Sequence, residues 1–174
     1  MPTFDAVTPL VTILNELIDG PPPEGAYVLN GGDRGLLKSL DKLSARDAST
    51  VPISGGASIA AHVDHLRYGF QLMNRWAKGE EPYSTADWTA SWERTTVSGE
   101  EWQDLLDSLE EEIDGWRGTM KNLPPLSETE QNGVIGIVVH LAYHFGAMRQ
   151  INHNLKGPSA READERSLDS KQIG

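Results

Sequence analysis

The stretch IGIVVHLAYHFGAMRQINHNL, residues 135–155, decides the fold class and concentrates the chemistry, because it places three of the five histidines on one predicted helix. Its apolar positions recur at alternating steps of four and three, which is the spacing of a helix packed in a bundle. The positions on this stripe are Ile137, Leu141, His144, Met148, Ile151 and Leu155. Such a helix has to bury its stripe against other helices, so the sequence predicts an all-α protein.

His140 precedes His144 by four residues, a little more than one helical turn of about 3.6 residues. The two imidazoles therefore stack above one another and can converge on one point. Neutral imidazole binds zinc, nickel and iron(II), and a pair supplies two of the ligands that such an ion needs. The pair predicts part of a metal site or, as the alternative, two histidines that are hydrogen-bonded within the bundle.

Two known histidine motifs are excluded by the neighbouring residues. A zincin protease carries glutamate directly after the first histidine of its pair, and here that position is Leu141. A di-iron carboxylate bundle has glutamate three residues before a ligating histidine. The residues three positions before the five histidines are Ile59, His62, Ile137, Leu141 and Gln150.

Composition bounds the function further. The 174 residues suffice for one domain, which we place at 1–156, followed by a polar tail at 157–174 that we expect to be mobile or loosely docked. There is no cysteine, so disulfides, thiolate metal sites and a protein thiol nucleophile are excluded. A formal charge of −11 argues against nucleic acid and anionic membrane as partners. The start MPTFDAVTPL lacks the features of a signal peptide, and no apolar run approaches a membrane span in length, so we expect a cytoplasmic protein.

Apolar stripes predict three further long helices. The first ends at Gly20, the second begins after the N-cap Ser58, and the third begins with a capping box of Ser98 and Glu101. Asn132 is the candidate cap of the last helix. The three stripes are Phe4, Val7, Val11, Leu14 and Ile18; Ile59, Val63, Leu66, Phe70, Met73 and Ala77; and Trp102, Leu106, Leu109, Ile113, Trp116 and Met120.

Between the first two long helices we expect an extended passage at residues 26–30 and a short helical piece over residues 36–43. The intervening NGGDRG, residues 30–35, lacks the Lys-Ser/Thr of a phosphate-binding loop and is interpreted as a turn. The connection at residues 78–97 is long enough to let two successive helices run parallel. Its Trp88 and Trp92 either pack over one end of the bundle, which we favour, or line a ligand pocket.

A third histidine is available from His62 and His65, which lie three residues apart on the second long helix. Helical-wheel geometry favours His62, which is nearer the middle of the stripe, whereas His65 lies toward its edge. His153 is expected on the protein surface. Arg149 and Tyr143 flank the histidine pair, and we assign them to surface solvation and helix packing.

The segments SIAAHVDHL (Ser58 to Leu66) and HLAYHFG (His140 to Gly146) resemble motifs of the DinB-like or YfiT-like bundle proteins. The resemblance covers roughly residues 32–155. It implies a four-helix bundle of up-down-down-up topology, with a long crossover between bundle helices 2 and 3. It also implies His65, His140 and His144 as the metal ligands, with His62 in reserve. Many members follow the last histidine with Arg-Gly-Gln, whereas this chain has Phe-Gly-Ala at 145–147.

The resemblance implies a divalent transition metal, namely zinc, nickel or iron(II), with an open coordination position. Characterised relatives include bacillithiol transferases and a mycothiol-dependent maleylpyruvate isomerase. By that analogy we expect a metal-dependent enzyme that activates a low-molecular-weight thiol or water to attack a small-molecule substrate, as an S-transferase or a hydrolase. The alternative is a non-catalytic metal-binding module that serves stress-associated interaction or dimerisation. A homodimer is also implied, and no catalytic acid or base is assigned.

Overall fold

The computed structural model describes residues 7–163, which fold into α-helices and short 3₁₀ turns and contain no β-strand. The predicted all-α class is confirmed for this part of the chain. The α-helices are α1 (Val7–Asp19), α2 (Gly35–Leu40), α3 (Ala45–Ala48), α4 (Ile59–Ala77), α5 (Gly99–Met120) and α6 (Glu128–Ile151). The 3₁₀ turns are Pro82–Thr85, Ala90–Trp92 and His153–Leu155, and residues 160–163 are also helical.

One hydrophobic core is shared by α1, α4, α5 and α6, whose predicted stripes face one another. Helix α4 packs against both α5 and α6, and α1 packs against α2 and α6. Trp116, Phe70 and Phe145 are the largest side chains that are fully buried. Burying a side chain of this size stabilises the fold by about 1.5–3 kcal/mol, so the core holds α4 and α6 side by side.

Serine side chains begin the long helices. Ser58 accepts a hydrogen bond from the Ala61 amide, and Ser98 forms the predicted capping box with Glu101. The prediction that Asn132 caps the last helix is wrong. Ser127 forms a capping box with Glu130, so α6 begins at Glu128 and Asn132 lies inside it. The last residue of α6 is Ile151, because the backbone of Asn152 is extended (φ −130°). Leu155, which the sequence placed on the same helix, lies in a separate 3₁₀ turn and is buried in the core.

The passage between α1 and α2 contains bends and no strand, and buried carboxylates hold it. Glu16 of α1 accepts hydrogen bonds from the three backbone amides of residues 27–29, at distances from 2.7 to 3.1 Å. Asp33 accepts from Arg149 Nη2 at 2.8 Å and from the Gly35 amide at 3.0 Å. Gly20 adopts φ +94°, and a Cβ there would lie 2.3 Å from the Asp33 carbonyl oxygen, so the turn requires glycine.

The connection between α4 and α5 folds back along α4 and is tied to it by side chains. Ser58 Oγ donates to the Thr95 carbonyl at 2.7 Å, and the Asp87 amide donates to Tyr68 Oη at 2.9 Å. Tyr83 Oη donates to Met73 Sδ at 2.8 Å. These contacts fix the turn Ala90–Trp92 over the middle of α4.

Helix α6 is long and apolar enough to cross a membrane when length and composition alone are considered. The expectation that no apolar run approaches such a length is therefore wrong for this helix. The finding is weak evidence for a membrane span, because core helices pass the same test and α6 contributes to the core.

At the chain ends, Phe4 and most of the predicted polar tail lie outside the described residues. Within them, Asn30 Nδ2 donates to the Pro158 carbonyl at 2.8 Å, so the start of this tail contacts the α1–α2 passage.

Candidate metal centre

Four histidines from two helices meet between α4 and α6. His65 Nε2 lies 3.0 Å from His140 Nε2, and His144 Nε2 lies 2.8 Å from the same atom. The three Nε2 atoms thus converge on one point, and these histidines are placed so that together they can hold a metal ion. The i, i+4 spacing of His140 and His144 brings their rings together as predicted, with centroids 4.4 Å apart.

Hydrogen bonds alone do not account for both contacts of His140 Nε2, whereas a shared metal ion would. A protonated His140 Nε2 can point its proton at only one of its two neighbours, and an unprotonated one accepts well from only one of them, so one of the two contacts lacks a good hydrogen bond. Zinc–nitrogen bonds of about 2.0–2.1 Å place two ligand nitrogens about 3.3 Å apart in tetrahedral geometry and about 3 Å apart at an octahedral edge. The observed separations are close to these values, so small ring movements would accommodate an ion.

The hydrogen bond with Ser91 selects the tautomer of His65 that ligation requires, and the contact with His62 allows the corresponding tautomer of His144. Ser91 Oγ donates to the Trp88 carbonyl at 2.7 Å, so at its 2.8 Å contact with His65 it accepts from Nδ1–H. That arrangement leaves a lone pair on His65 Nε2. On the other side, His62 Nδ1 lies 3.0 Å from His144 Nδ1. If His144 donates its Nδ1–H there, its Nε2 is also free to bind a metal.

The surroundings keep all four imidazoles neutral. Burial lowers the pKa of His62 and His140. The pKa of His65 falls to about 4 through burial and the positive charge that His140 and His62 would carry, although Asp64 opposes this shift. The pKa of His144 falls to about 3, first through burial and then through the other three histidines. Neutral imidazole is the form that binds a metal, so these shifts favour ligation near neutral pH.

Carboxylates do not complete the cluster within residues 7–163. Asp64 is near in sequence, but its oxygens accept from Arg67 Nε at 2.7 Å and Arg94 Nε at 3.2 Å. Glu110, a conceivable oxygen ligand, is exposed and lines a different surface depression beside Asp19. Nitrogen ligands alone would therefore leave coordination positions for water or a substrate.

Tryptophans from the α4–α5 connection cover the imidazoles. The Trp92 ring stacks on His65 with centroids 4.1 Å apart and 23° between the planes, and its centroid lies 5.2 Å from that of His62. Trp88 lies 5.6 Å from His65 and also lines a cleft of about 420 Å³ that His65 and His140 border. Trp92 therefore packs on other side chains, as the favoured prediction has it. Trp88 lines a cleft, which agrees with the alternative.

His62 and His65, the two candidates for the third ligand, contact different histidines of the pair on α6. His65 points its Nε2 into the convergent group, whereas His62 contacts the far nitrogen of His144. His153 is exposed, as predicted. The assignment of Arg149 to surface solvation is wrong, because it binds the buried Asp33 and stacks 3.9 Å from the centre of the Phe145 ring, outside the cluster. The assignment of Tyr143 to helix packing is also wrong, because its side chain is 70% exposed.

Sequence analysis missed Ser91 and the bonding role of His62. Ser91 lies in an irregular connection that has no periodic pattern, and no feature of its neighbours marks it. The spacing of His62 and His65 does put two imidazoles on nearly the same side of α4. From that spacing the sequence analysis could have predicted that one of the two histidines contacts a metal ligand without binding the metal itself.

Comparison with known proteins gives one match. Residues 32–148, more than half of the chain, match the family model of the DinB superfamily. No curated protein matches the chain, and no solved structure does.

Proposed function

The chain belongs to the DinB superfamily, and from this premise we propose that Nε2 of His65, His140 and His144 together hold one divalent transition metal ion of a metal-dependent enzyme. Zinc, nickel and iron(II) all accept imidazole, and availability selects among them. The convergence of three Nε2 atoms, two pairs of which lie 2.8 and 3.0 Å apart, is the observation that carries the proposal.

A bound ion would supply Lewis acidity that lowers the pKa of a coordinated water or thiol. The residues of the chain have three tasks in such a reaction. Ser91 and His62 orient the ligand rings, Trp92 covers the imidazoles, and the cleft beside His140 admits the small-molecule substrate. Because the chain has no cysteine, a thiol nucleophile would have to come from a low-molecular-weight cofactor.

Metal content tests the proposal. Protein purified without an affinity tag is reconstituted with zinc, nickel or iron(II), and its metal is measured by elemental mass spectrometry. We expect about one equivalent in the parent, a large loss in His144→Ala and no loss in the control His153→Ala, whose histidine is exposed. Equal metal in the parent and His144→Ala would refute the assignment. Success leads to a screen of thiol-transfer and hydrolysis reactions with the loaded protein.

A second candidate function is a non-catalytic module that binds metal and associates with itself. It is favoured by exposed apolar side chains on one side of α6, with Ile135 41% exposed, Val139 60% and Tyr143 70%. Sedimentation of the parent and Val139→Glu tests the homodimer, which the variant is expected to dissociate. Chelation separates the two functions, because a structural site loses folding free energy without metal, whereas an open catalytic site keeps most of it.

The finer architecture that we propose is a single-domain four-helix bundle at residues 1–156. In this arrangement α1, α4, α5 and α6 run up-down-down-up, and the connection at residues 78–97 is the crossover. The shared core of these four helices supports it. We further propose a cytoplasmic protein without a nucleic-acid or membrane partner, which is supported by the charge of −11.

A further inference from the structure

The cleft of about 420 Å³ beside the histidines has walls that carry almost no charge. Met73, Tyr83, Trp88 and Ile137 line the cleft together with His65 and His140. The volume is within the range of about 300–1,000 Å³ that small-molecule pockets occupy. Aromatic and aliphatic side chains together in the lining suit an apolar molecule that contains a ring.

The polar groups of the cleft are few, and one is already used. Tyr83 Oη donates to Met73 Sδ at 2.8 Å, so it has no proton left for a ligand. Among residues 7–163, the lining contains no carboxylate, ammonium or guanidinium group. In metal-free protein an anionic ligand would lose its hydration without gaining a counter-charge, in a protein whose formal charge is −11. The imidazoles of His65 and His140 are the remaining polar side chains in this part of the lining.

Glycines keep the cleft open. Gly69 of α4 and Gly133 and Gly136 of α6 border it, although glycine destabilises a helix relative to alanine. A Cβ at Gly133 or Gly136 would meet no atom within 4 Å, so packing does not require glycine at either position. Gly146 of α6 has the same open surroundings away from the cleft. The observation that indicates a binding site is therefore the grouping of three glycines around one cleft. A side chain at any of the three positions would reduce the volume of the cleft.

We propose that this cleft binds the uncharged, aromatic or alicyclic body of the small-molecule substrate, with its reactive end toward His65 and His140. This inference rests on the proposed function in one respect, namely that the molecule in the cleft is the substrate. The selectivity for uncharged molecules follows from the walls alone and would hold in metal-free protein.

Two fluorescent probes with the same ring skeleton test this selectivity. N-phenyl-1-naphthylamine is uncharged, and 8-anilino-1-naphthalenesulfonate adds one sulfonate. Each is titrated into the parent protein with and without chelator. We expect saturable binding of the uncharged probe in both states. In the metal-free state we expect binding of the sulfonate to be at least about tenfold weaker, because its charge would be buried without a partner.

Gly136→Leu places a side chain in the cleft, and Gly146→Leu is the matched control on the same helix. We expect Gly136→Leu to weaken binding of the uncharged probe at least about tenfold and Gly146→Leu to leave it unchanged. Gly133→Leu serves in the same role if Gly136→Leu does not fold by circular dichroism. Equal affinity of the metal-free parent for the two probes, or unchanged affinity for the uncharged probe in both cleft variants, would overturn the inference.

Metal content is measured on the same samples, so the two proposals can fail separately. Cleft-dependent probe binding in a protein that takes up no metal would support the cleft as an apolar binding site and refute the metal function. A full metal complement without cleft-dependent binding would refute the cleft and leave the metal proposal standing.

Discussion

Ser91→Ala removes one hydroxyl that orients a proposed metal ligand. Ser91 Oγ accepts from His65 Nδ1 at 2.8 Å and donates to the Trp88 carbonyl at 2.7 Å. Loss of an outer partner of a metal-bound histidine typically lowers metal affinity 10–100-fold, which corresponds to about 1.4–2.7 kcal/mol. Both residues are only 6% exposed, so water cannot readily replace the hydroxyl. We therefore expect a loss toward the upper end of this range.

The dissociation constant for zinc is measured at neutral pH by competition with a chromophoric chelator. Ser84→Ala is the control, because this serine is exposed and its hydroxyl donates to the Glu81 carbonyl, away from the histidines. The control should bind zinc as the parent does. If folded Ser91→Ala also bound zinc with the affinity of the parent, the reasoning about His65 orientation would be refuted.

Three further predictions concern stability. The pKa of His65 is lowered from 6.5 to about 4, so between these pH values the unfolded chain binds more protons than the folded one. As the pH is lowered from 6.5, the unfolding free energy of metal-free protein should therefore decrease by up to about 1.4 kcal/mol per pH unit for each such histidine. An unfolding free energy from urea titrations that does not change with pH would contradict this. Arg149→Ala removes the cation that pairs with the Asp33 carboxylate, whose side chain is only 2% exposed. The free energy of unfolding in urea should fall by about 3–5 kcal/mol, and a decrease below about 1 kcal/mol would refute the role of the pair. Glu16→Gln weakens charge-assisted hydrogen bonds to the amides of residues 27–29 and should speed their hydrogen exchange by about tenfold or more, whereas unchanged protection would show that the carboxylate does not hold the passage.

Periodic and local signals predicted the parts of the fold that depend on nearby residues. The all-α class followed from helical stripes, and Ser58 and Ser98 were recognisable as caps because a cap is defined within four residues. The same logic was available for Ser127 and Glu130, whose capping box begins α6 in place of the predicted Asn132. The i, i+4 spacing also predicted that the rings of the histidine pair on α6 would meet.

Features that depend on tertiary contacts were beyond the sequence. Whether His62 or His65 faces the histidine pair depends on ring orientation, which the Ser91 contact sets from 26 residues away. The Glu16 hydrogen bonds to residues 27–29 and the Arg149–Asp33 pair also join segments that no periodic pattern relates. Helical-wheel geometry gave the side of α4 correctly but favoured His62, whereas His65 is the residue whose Nε2 lies beside that of His140.

The coordination shell of the loaded protein tests the central claim most directly. X-ray absorption at the zinc edge, recorded on protein that carries one equivalent of zinc, counts the imidazole ligands and their distances. The proposed centre predicts three imidazole nitrogens at about 2.0–2.1 Å and at least one further light-atom ligand from solvent. A spectrum of zinc bound by oxygen alone, or one that keeps three imidazoles after His65→Ala, would contradict the assignment of His65, His140 and His144.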